Sequence, residues 1–372
     1  MKAGAVFPGT RKVEVVSLDE PKISAPDQVK VRILEVGVCG TDREICNFDY
    51  GLPPEGADFL VLGHESLGEV VETGAAVTRL HPGDLVVPMV RRPCPHERCV
   101  ACRAGRQDFC YTGDFRERGI KQLHGFMTSF VVDEETYMNP VPRELREVAV
   151  LVEPLTIAEK ALAQINTIQQ RLPWGCPFSP GKPSDYCHRA VVLGAGPVGL
   201  LGAMALLNAG FETWIYSREL APNPRADLMA SIGAHYISSR AQSVDQLAAA
   251  VGNIDVVYEA TGASQIAFEL LKVLGTDGVF CFTGVPRHGE PLSVDTDLLM
   301  RNLVLKNQVI LGTVNAGKDA FQAAIHDLAV FYKRWPEAVR SLITGRFPIE
   351  RFRDPIFEMS GIKNVIVLDG QN

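Results

Sequence analysis

At 372 residues the chain exceeds one ordinary hydrophobic core and suits two domains. Hydrophobic residues make up 46% and charged residues 22%, the balance of a globular protein in water. A net charge of −7 argues against a nucleic-acid binder, which needs a basic excess to neutralise phosphates.

The start, Met1-Lys2-Ala3-Gly4-Ala5-Val6, has strand character and lacks the apolar run of a secretory signal. No stretch reaches the roughly 18 apolar residues of a membrane span. A soluble cytoplasmic protein, with no membrane and no nucleic-acid partner, is therefore expected. Residues 1–155 are broken by Gly and Pro and carry short β-branched runs: Val29–Leu34, Ser66–Val71 and Asp84–Val87. They read as an irregular β-rich domain. Ala149–Ile168 is rich in helix formers, with Pro154 near a first turn. Leu172–Tyr186, with four prolines, reads as a loop.

From Arg189 the rhythm becomes β–α–β. Ala190–Leu193 is a buried strand, Val198–Ala209 an apolar helix stopped by Gly210, and Thr213–Tyr216 a second strand. Further strands fit Ile254–Tyr258 and Gly278–Phe282. Such alternation predicts an α/β fold, a doubly wound parallel sheet with helices on both faces, over residues 156–310. Residues 311–372 turn mixed again and are expected to pack back on the first domain.

Gly194-Ala195-Gly196-Pro197-Val198-Gly199 satisfies G-x-G-x-x-G between a strand and a helix, the context that marks a dinucleotide site. Gly194 permits the tight turn, Gly196 lets the backbone approach a pyrophosphate, and Gly199 lets helix and strand pack closely. The helix start, Pro197-Val198-Gly199, offers free N–H groups at Val198 and Gly199 and a partial positive charge to phosphate. At the end of the second strand an acid would select NAD and an arginine NADP. Ser217 and Arg218 stand there, which favours NADP; Glu219 leaves NAD open.

Nine cysteines in a chain without a signal argue for metal rather than disulfides. Cys94, Cys99, Cys102 and Cys110 form a compact group, the pattern of a closed tetrahedral structural zinc; His96 offers an alternative fourth donor. A second set is dispersed: Cys39 in Cys39-Gly40-Thr41-Asp42, His64 and Glu65 after Gly63, and Glu153 in Leu151-Val152-Glu153-Pro154-Leu155. Cys, His and carboxylate would make a three-ligand zinc site with an open position. Spacing alone does not unite them.

The run Gly37–Asp42, the stretch Gly63–Val70, the cysteine quartet and the glycine-rich turn resemble, in order and spacing, the medium-chain zinc-dependent alcohol dehydrogenases. Gly105–Cys110, His124–Met127, Leu151–Leu155 with Glu159-Lys160, and Gly312–Asn315 look most like the archaeal and bacterial glucose 1-dehydrogenases. The resemblance implies a Rossmann domain and a GroES-like catalytic domain whose zinc lobe spans about residues 91–112. It also implies a catalytic zinc on Cys39 and His64, with Glu65 and Glu153 as additional or exchanging ligands. Thr41 would contact the reacting hydroxyl and open the proton path. Asp114, Glu159 and Asn315 fall near positions that touch sugar hydroxyls or the nicotinamide, and Thr283 joins the cofactor set. The implied reaction is hydride transfer from an aldose C1 to NAD(P), giving a lactone, in a homo-tetramer or dimer. The cleft between the domains is the expected place for it.

Departures qualify the substrate. Four residues separate Cys94 from Cys99, where the family usually has two. Glu44 stands where alcohol dehydrogenases often place a relay histidine, and Val90 and Leu305 where some sugar-specific relatives are polar. Polyol, L-threonine or simple-alcohol oxidation keeps the same machinery. A non-catalytic NADP-binding protein is the alternative from another class, and it has no use for an open zinc site.

Overall fold

The computed structural model describes residues 1–173, 188–287, 289–358 and 360–368. The chain forms two compact units. Unit 1 comprises residues 1–156, 315–332 and 339–372, and unit 2 residues 157–314 and 333–338. Most of the proline-rich run Leu172–Tyr186 lies outside the described residues.

Unit 1 opens with the hairpin β1 (Lys2–Phe7) and β2 (Lys12–Ser17), and β1 also pairs β4 (Leu60–Val61). Its main sheet is built on β3 (Gln28–Gly37) and β5 (Glu65–Thr73), whose apolar residues face the core. From β5 the sheet continues to β6 (Leu85–Pro88) and β11 (Met138–Pro140). On the other side β3 pairs with β19 (Lys363–Val367), and β19 with β18 (Ile343–Pro348). The strand β10 (Phe130–Glu134) pairs with β3 as well. Thus β18 and β19, from the far end of the chain, complete the sheet built on β3 and β5. A small lobe carries β7 (Arg91–Arg92), α2 (Val100–Arg103), β8 (Arg116–Arg118) and β9 (Gln122–Leu123). Short helix α1 (Gly40–Cys46) follows β3 directly.

The structure orders Ala149–Leu151 as a 3₁₀ turn and Val152–Gln169 as helix α3, so Pro154 falls in the first turn, where its missing N–H costs nothing.

Unit 2 is a six-stranded parallel sheet in the order β14-β13-β12-β15-β16-β17. The strands are β12 (Arg189–Leu193), β13 (Glu212–Ser217), β14 (His235–Ser238), β15 (Val256–Glu259), β16 (Val279–Phe282) and β17 (Val309–Gly312). The helices α4 (Pro197–Asn208), α5 (Pro224–Ser231), α6 (Val244–Val251), α7 (Ser264–Lys272) and α8 (Thr296–Leu305) lie between or after them. Strand order runs outward from β12 in both directions, which leaves a switch point between β12 and β15 at the carboxyl ends. Gly210, at φ +91, ends α4 as expected: its N–H reaches Leu207 and that of Phe211 reaches Leu206, satisfying the last carbonyls. After unit 2 the chain adds α9 (Lys318–Arg334), α10 (Pro336–Ser341) and α11 (Arg353–Glu358). No helix among the described residues is long and apolar enough to cross a membrane.

Candidate active site

Cys39 is the N-cap of α1, and its N–H donates to the Asp42 carboxylate at 2.9 Å. This local loop fixes the thiol at the end of β3. The other Asp42 oxygen accepts from the Gly63 N–H at 3.3 Å and lies 3.6 Å from Nδ1 of His64. Glu65 then opens β5 opposite Gly37 of β3. As a result the Cys39 thiol, a His64 ring nitrogen and a Glu65 carboxylate oxygen lie within 4.8 Å of one another. The Cys39 thiol also donates to Thr41 Oγ1 at 3.9 Å. Glu153, in the first turn of α3, lies outside this trio but interacts electrostatically with His64 and Glu65.

Two further residues complete the surroundings: Asp42, which ends the run Gly37–Asp42, and Lys363, which no motif marked. Asp42, wholly buried, stands behind His64 as carboxylates do behind metal-bound histidines. Lys363, 2% exposed, sends its ammonium group to Glu65 Oε2 at 2.5 Å and to the Val38 carbonyl at 3.0 Å. The signal for Asp42 was its place three residues after Cys39; Lys363 had none, being nearly 300 residues away from its partner in sequence.

Burial governs the charges. It lifts the Asp42 carboxyl above its usual range, against the pull of His64 and the Cys39 N–H. It likewise pushes Glu153 up to about 7, with Glu65 adding and His64 and Lys363 opposing. For His64 burial works against protonation, yet Asp42, Cys39 and Glu153 outweigh it and hold the imidazole well above its usual value. Thiol, imidazole and carboxylate with a carboxylate behind the imidazole is the donor chemistry of an open zinc site, so the residues present fit that ion.

In the lobe, the sulfurs of Cys94, Cys99, Cys102 and Cys110 also lie within 4.8 Å of one another, and each cysteine is a free thiol. The Cys99 N–H donates to the His96 carbonyl at 3.0 Å, so the wider spacing after Cys94 is taken up by a tight turn. The His96 ring is hydrogen-bonded to the Asp114 carboxylate, and the quartet needs no nitrogen. Although burial opposes it, the Thr112 hydroxyl and the N–H groups of Thr112 and Gly113 draw the Cys110 thiol down to about 6. Four sulfurs in a closed cluster suit a structural zinc.

Asn315, at φ +59, donates to Glu117 Oε1 at 2.9 Å. The same oxygen receives Arg91 Nε at 3.0 Å and Nη2 at 2.9 Å. Glu117 is 4% exposed, and sequence reading passed it over because a three-residue strand carries no periodic signal.

In unit 2, Gly194 adopts φ +112, and a Cβ at Gly199 would lie 2.3 Å from the Gly194 carbonyl, so turn and helix meet without side chains. A Cβ at Gly196 would meet nothing within 4 Å, leaving open space above the turn. Pro197 is the first residue of α4, whose N-cap Gly196 has no capping side chain; the N–H groups at Val198 and Gly199 are left for an anion. Ser217 ends β13, and Arg218 is exposed with no ion pair among the described residues. Glu219 is tied to Arg225 at 2.6 Å. The hydroxyl of Thr283, after β16, donates to the Glu259 carbonyl at 2.7 Å. Glu159, also in unit 2, is buried on α3.

A β-rich unit with a Cys–His–Glu donor trio and a sulfur quartet, joined to a glycine-turn parallel sheet, defines an oxidoreductase of the alcohol-dehydrogenase type. Residues 25–143 match the alcohol dehydrogenase GroES-like domain, and residues 146–368 match the glucose dehydrogenase C-terminus. The chain belongs to the glucose dehydrogenase family and is a dehydrogenase. It is 38% identical to glucose 1-dehydrogenase of Methanocella arvoryzae over 95% of each chain. With glucose 1-dehydrogenase 2 of Saccharolobus solfataricus the identity is 37%, over 96% of this chain and 95% of the other. The solved glucose dehydrogenase of Haloferax mediterranei, in complex with NADP, Zn and gluconolactone, superposes with a TM-score of 0.87 at 33% identity, covering 99% of each chain.

Proposed function

We propose that the chain is a zinc-dependent aldose 1-dehydrogenase that oxidises a glucose-like sugar at C1 with NADP and releases the lactone. The observation that carries this reading is the Cys39–His64–Glu65 trio, backed by Asp42 and Lys363, in a chain akin to glucose 1-dehydrogenases throughout its length. A zinc ion held by Cys39, His64 and Glu65 supplies Lewis acidity at the substrate oxygen, and NADP supplies the hydride acceptor.

The chain's own residues do the rest. Thr41, beside the Cys39 thiol, orients the reacting hydroxyl and takes its hydrogen bond. Glu153, which interacts electrostatically with His64 and Glu65, serves as the additional or exchanging ligand of that zinc ion. Glu117 and the half-buried Asn315 form an acceptor–donor pair suited to sugar hydroxyls, and Asp114 and Glu159 carry further polar groups for the substrate. Glu219 is occupied by Arg225, which leaves Arg218, with Ser217, to meet a 2′-phosphate; this supports NADP over NAD. The turn Gly194–Gly199 receives the pyrophosphate, and Thr283 belongs to the same cofactor set. Cys94, Cys99, Cys102 and Cys110 hold a second, structural zinc.

Residues 1–155 and 311–372 act as the catalytic domain, and 156–310 as the cofactor domain. The edge strand β17, with exposed Ile310, and the exposed Met300, Val304 and Leu305 of α8 support a homo-dimer or tetramer. Thiols used for metal support a reducing, cytoplasmic setting.

The test is NADP and NAD reduction with D-glucose, D-galactose, D-xylose, L-threonine and simple alcohols, before and after chelation. Turnover of an aldose with NADP, lost with the metal, is expected. Activity confined to a non-sugar alcohol would discard the substrate assignment, and activity unaffected by chelation would discard the metal.

A further inference from the structure

Glu259, at the carboxyl end of β15, is 1% exposed and has no cationic partner among the described residues. Its carboxylate is instead saturated by four donors. Oε1 accepts from the Thr261 N–H and hydroxyl, both at 2.6 Å, and from the Gly262 N–H at 2.8 Å. Oε2 accepts from the Gly284 N–H at 3.1 Å. The first three donors belong to the loop after β15 and the fourth to the loop after β16, so one side chain joins two loops.

The glycines at this junction are there for space. A Cβ at Gly284 would stand 2.1 Å from the Gly262 nitrogen, and one at Gly262 would stand 2.6 Å from the Val285 carbonyl. Thr261, held by Glu259, reaches the phosphate-binding turn: a Cβ at Gly194 would lie 2.4 Å from its methyl group. The carboxylate thereby fixes the ends of three adjacent strands, β12, β15 and β16.

Topology tells which half of the cofactor this concerns. The pyrophosphate lies over the turn after β12, and the adenosine ribose at the end of β13, on one side of the switch point. The nicotinamide half must cross to the other side, over the ends of β15 and β16. We propose that Glu259 is a positioning residue that shapes the floor beneath the nicotinamide half of the dinucleotide. This rests on the NADP reading above.

Glu259→Gln separates the functions of the two oxygens. An amide has a single acceptor oxygen. That oxygen keeps the Thr261 and Gly262 donors, while the amide NH₂ faces the Gly284 N–H, donor against donor. The loop after β16 is released and the loop after β15 stays. Gly284→Ala disturbs the same junction by collision, since its Cβ would stand 2.1 Å from the Gly262 nitrogen and 2.8 Å from Glu259 Oε2.

The experiment is calorimetric titration of the zinc-loaded wild type and both variants with NADPH and with adenosine 2′,5′-bisphosphate, which carries only the adenosine half. In both variants Kd for NADPH is expected to rise tenfold or more, and Kd for the bisphosphate to stay within twofold of wild type. KM for NADP should follow, with zinc content unchanged. NADPH affinity within twofold of wild type, or equal weakening of both ligands, overturns the proposal; if Glu259→Gln does not fold, Gly284→Ala decides by the same criterion. A wild type that binds neither ligand brings down the NADP reading itself, and this inference with it.

Discussion

Gly37→Ala tests whether the Glu65 carboxylate belongs to the metal centre. Gly37 has ordinary extended backbone in β3, so alanine meets no conformational strain there. It meets Glu65 instead: a Cβ at Gly37 would lie 2.3 Å from Glu65 Oε2, where an ordinary contact begins at 3.4 Å. The carboxylate must retreat by about 1 Å, a displacement on the scale that can cost about a hundredfold at a functional site. The same retreat disturbs its hydrogen bond with Lys363, now at 2.5 Å. Zinc at the trio should therefore be held about 10- to 100-fold more weakly, or about 1.4–2.8 kcal/mol. The assay is competition for zinc with a chromophoric chelator, alongside circular dichroism to follow folding. Glu65→Ala and the double variant close a cycle: once the carboxylate is gone, Gly37→Ala should cost nothing more. Equal losses from Gly37→Ala in the presence and absence of Glu65 would refute the reasoning, and so would unchanged zinc affinity in the single variant.

Asp133→Asn should destabilise unit 1 by about 3–5 kcal/mol in urea, because it strands two buried guanidinium groups, Arg92 and Arg118, that share Asp133 Oδ2. Burial raises the Asp133 carboxyl, but the two arginines outweigh it and hold the pKa below its usual value. This contribution is therefore present above the unfolded pKa of about 4 and is lost as pH falls through the lower folded value. The gap between wild type and variant should stay constant from about pH 5 to 8. Fluorescence of Trp214 and Trp335, both in unit 2, serves as the internal control. Cys102→Ser should leave one tightly bound zinc per chain by elemental analysis instead of two, and lower the thermal midpoint of unit 1. Arg218→Ala should raise KM for NADP at least tenfold while changing KM for NAD less than twofold; a parallel change in both would remove Arg218 from the 2′-phosphate site.

The parts of the molecule that repeat a local rule were legible before folding. The β–α–β rhythm after Arg189, the glycine turn and the stop at Gly210 each depend on neighbours in sequence, and each stands in the structure within a residue or two. The quartet was legible for the same reason, since its four cysteines lie close together in the chain. The return of the chain to the first sheet was expected only as packing; the structure makes it a strand pairing, β19 on β3. Lys363, Glu117 and Glu259 were not legible. Each is a single buried charge whose partner lies far off in sequence or on a short element, and neither periodicity nor composition registers that.

Strand register explains why distant residues had to meet at the trio. In the antiparallel ladder β3–β5, Gly37 stands opposite Glu65, and in β3–β19 it stands opposite Val365. Two residues beyond Gly37 comes Cys39; two residues before Val365, on the antiparallel neighbour, comes Lys363. The thiol, the carboxylate and the ammonium group are thus brought to one end of the sheet by backbone pairing before any side chain chooses a partner. A shift of either ladder by one residue would turn Glu65 or Lys363 to the opposite face. The buried Lys363–Glu65 pair opposes such a slip, because a misplaced register would leave two buried charges unpaired. The geometry of the donor trio and the correct assembly of the sheet are consequently enforced by the same interaction.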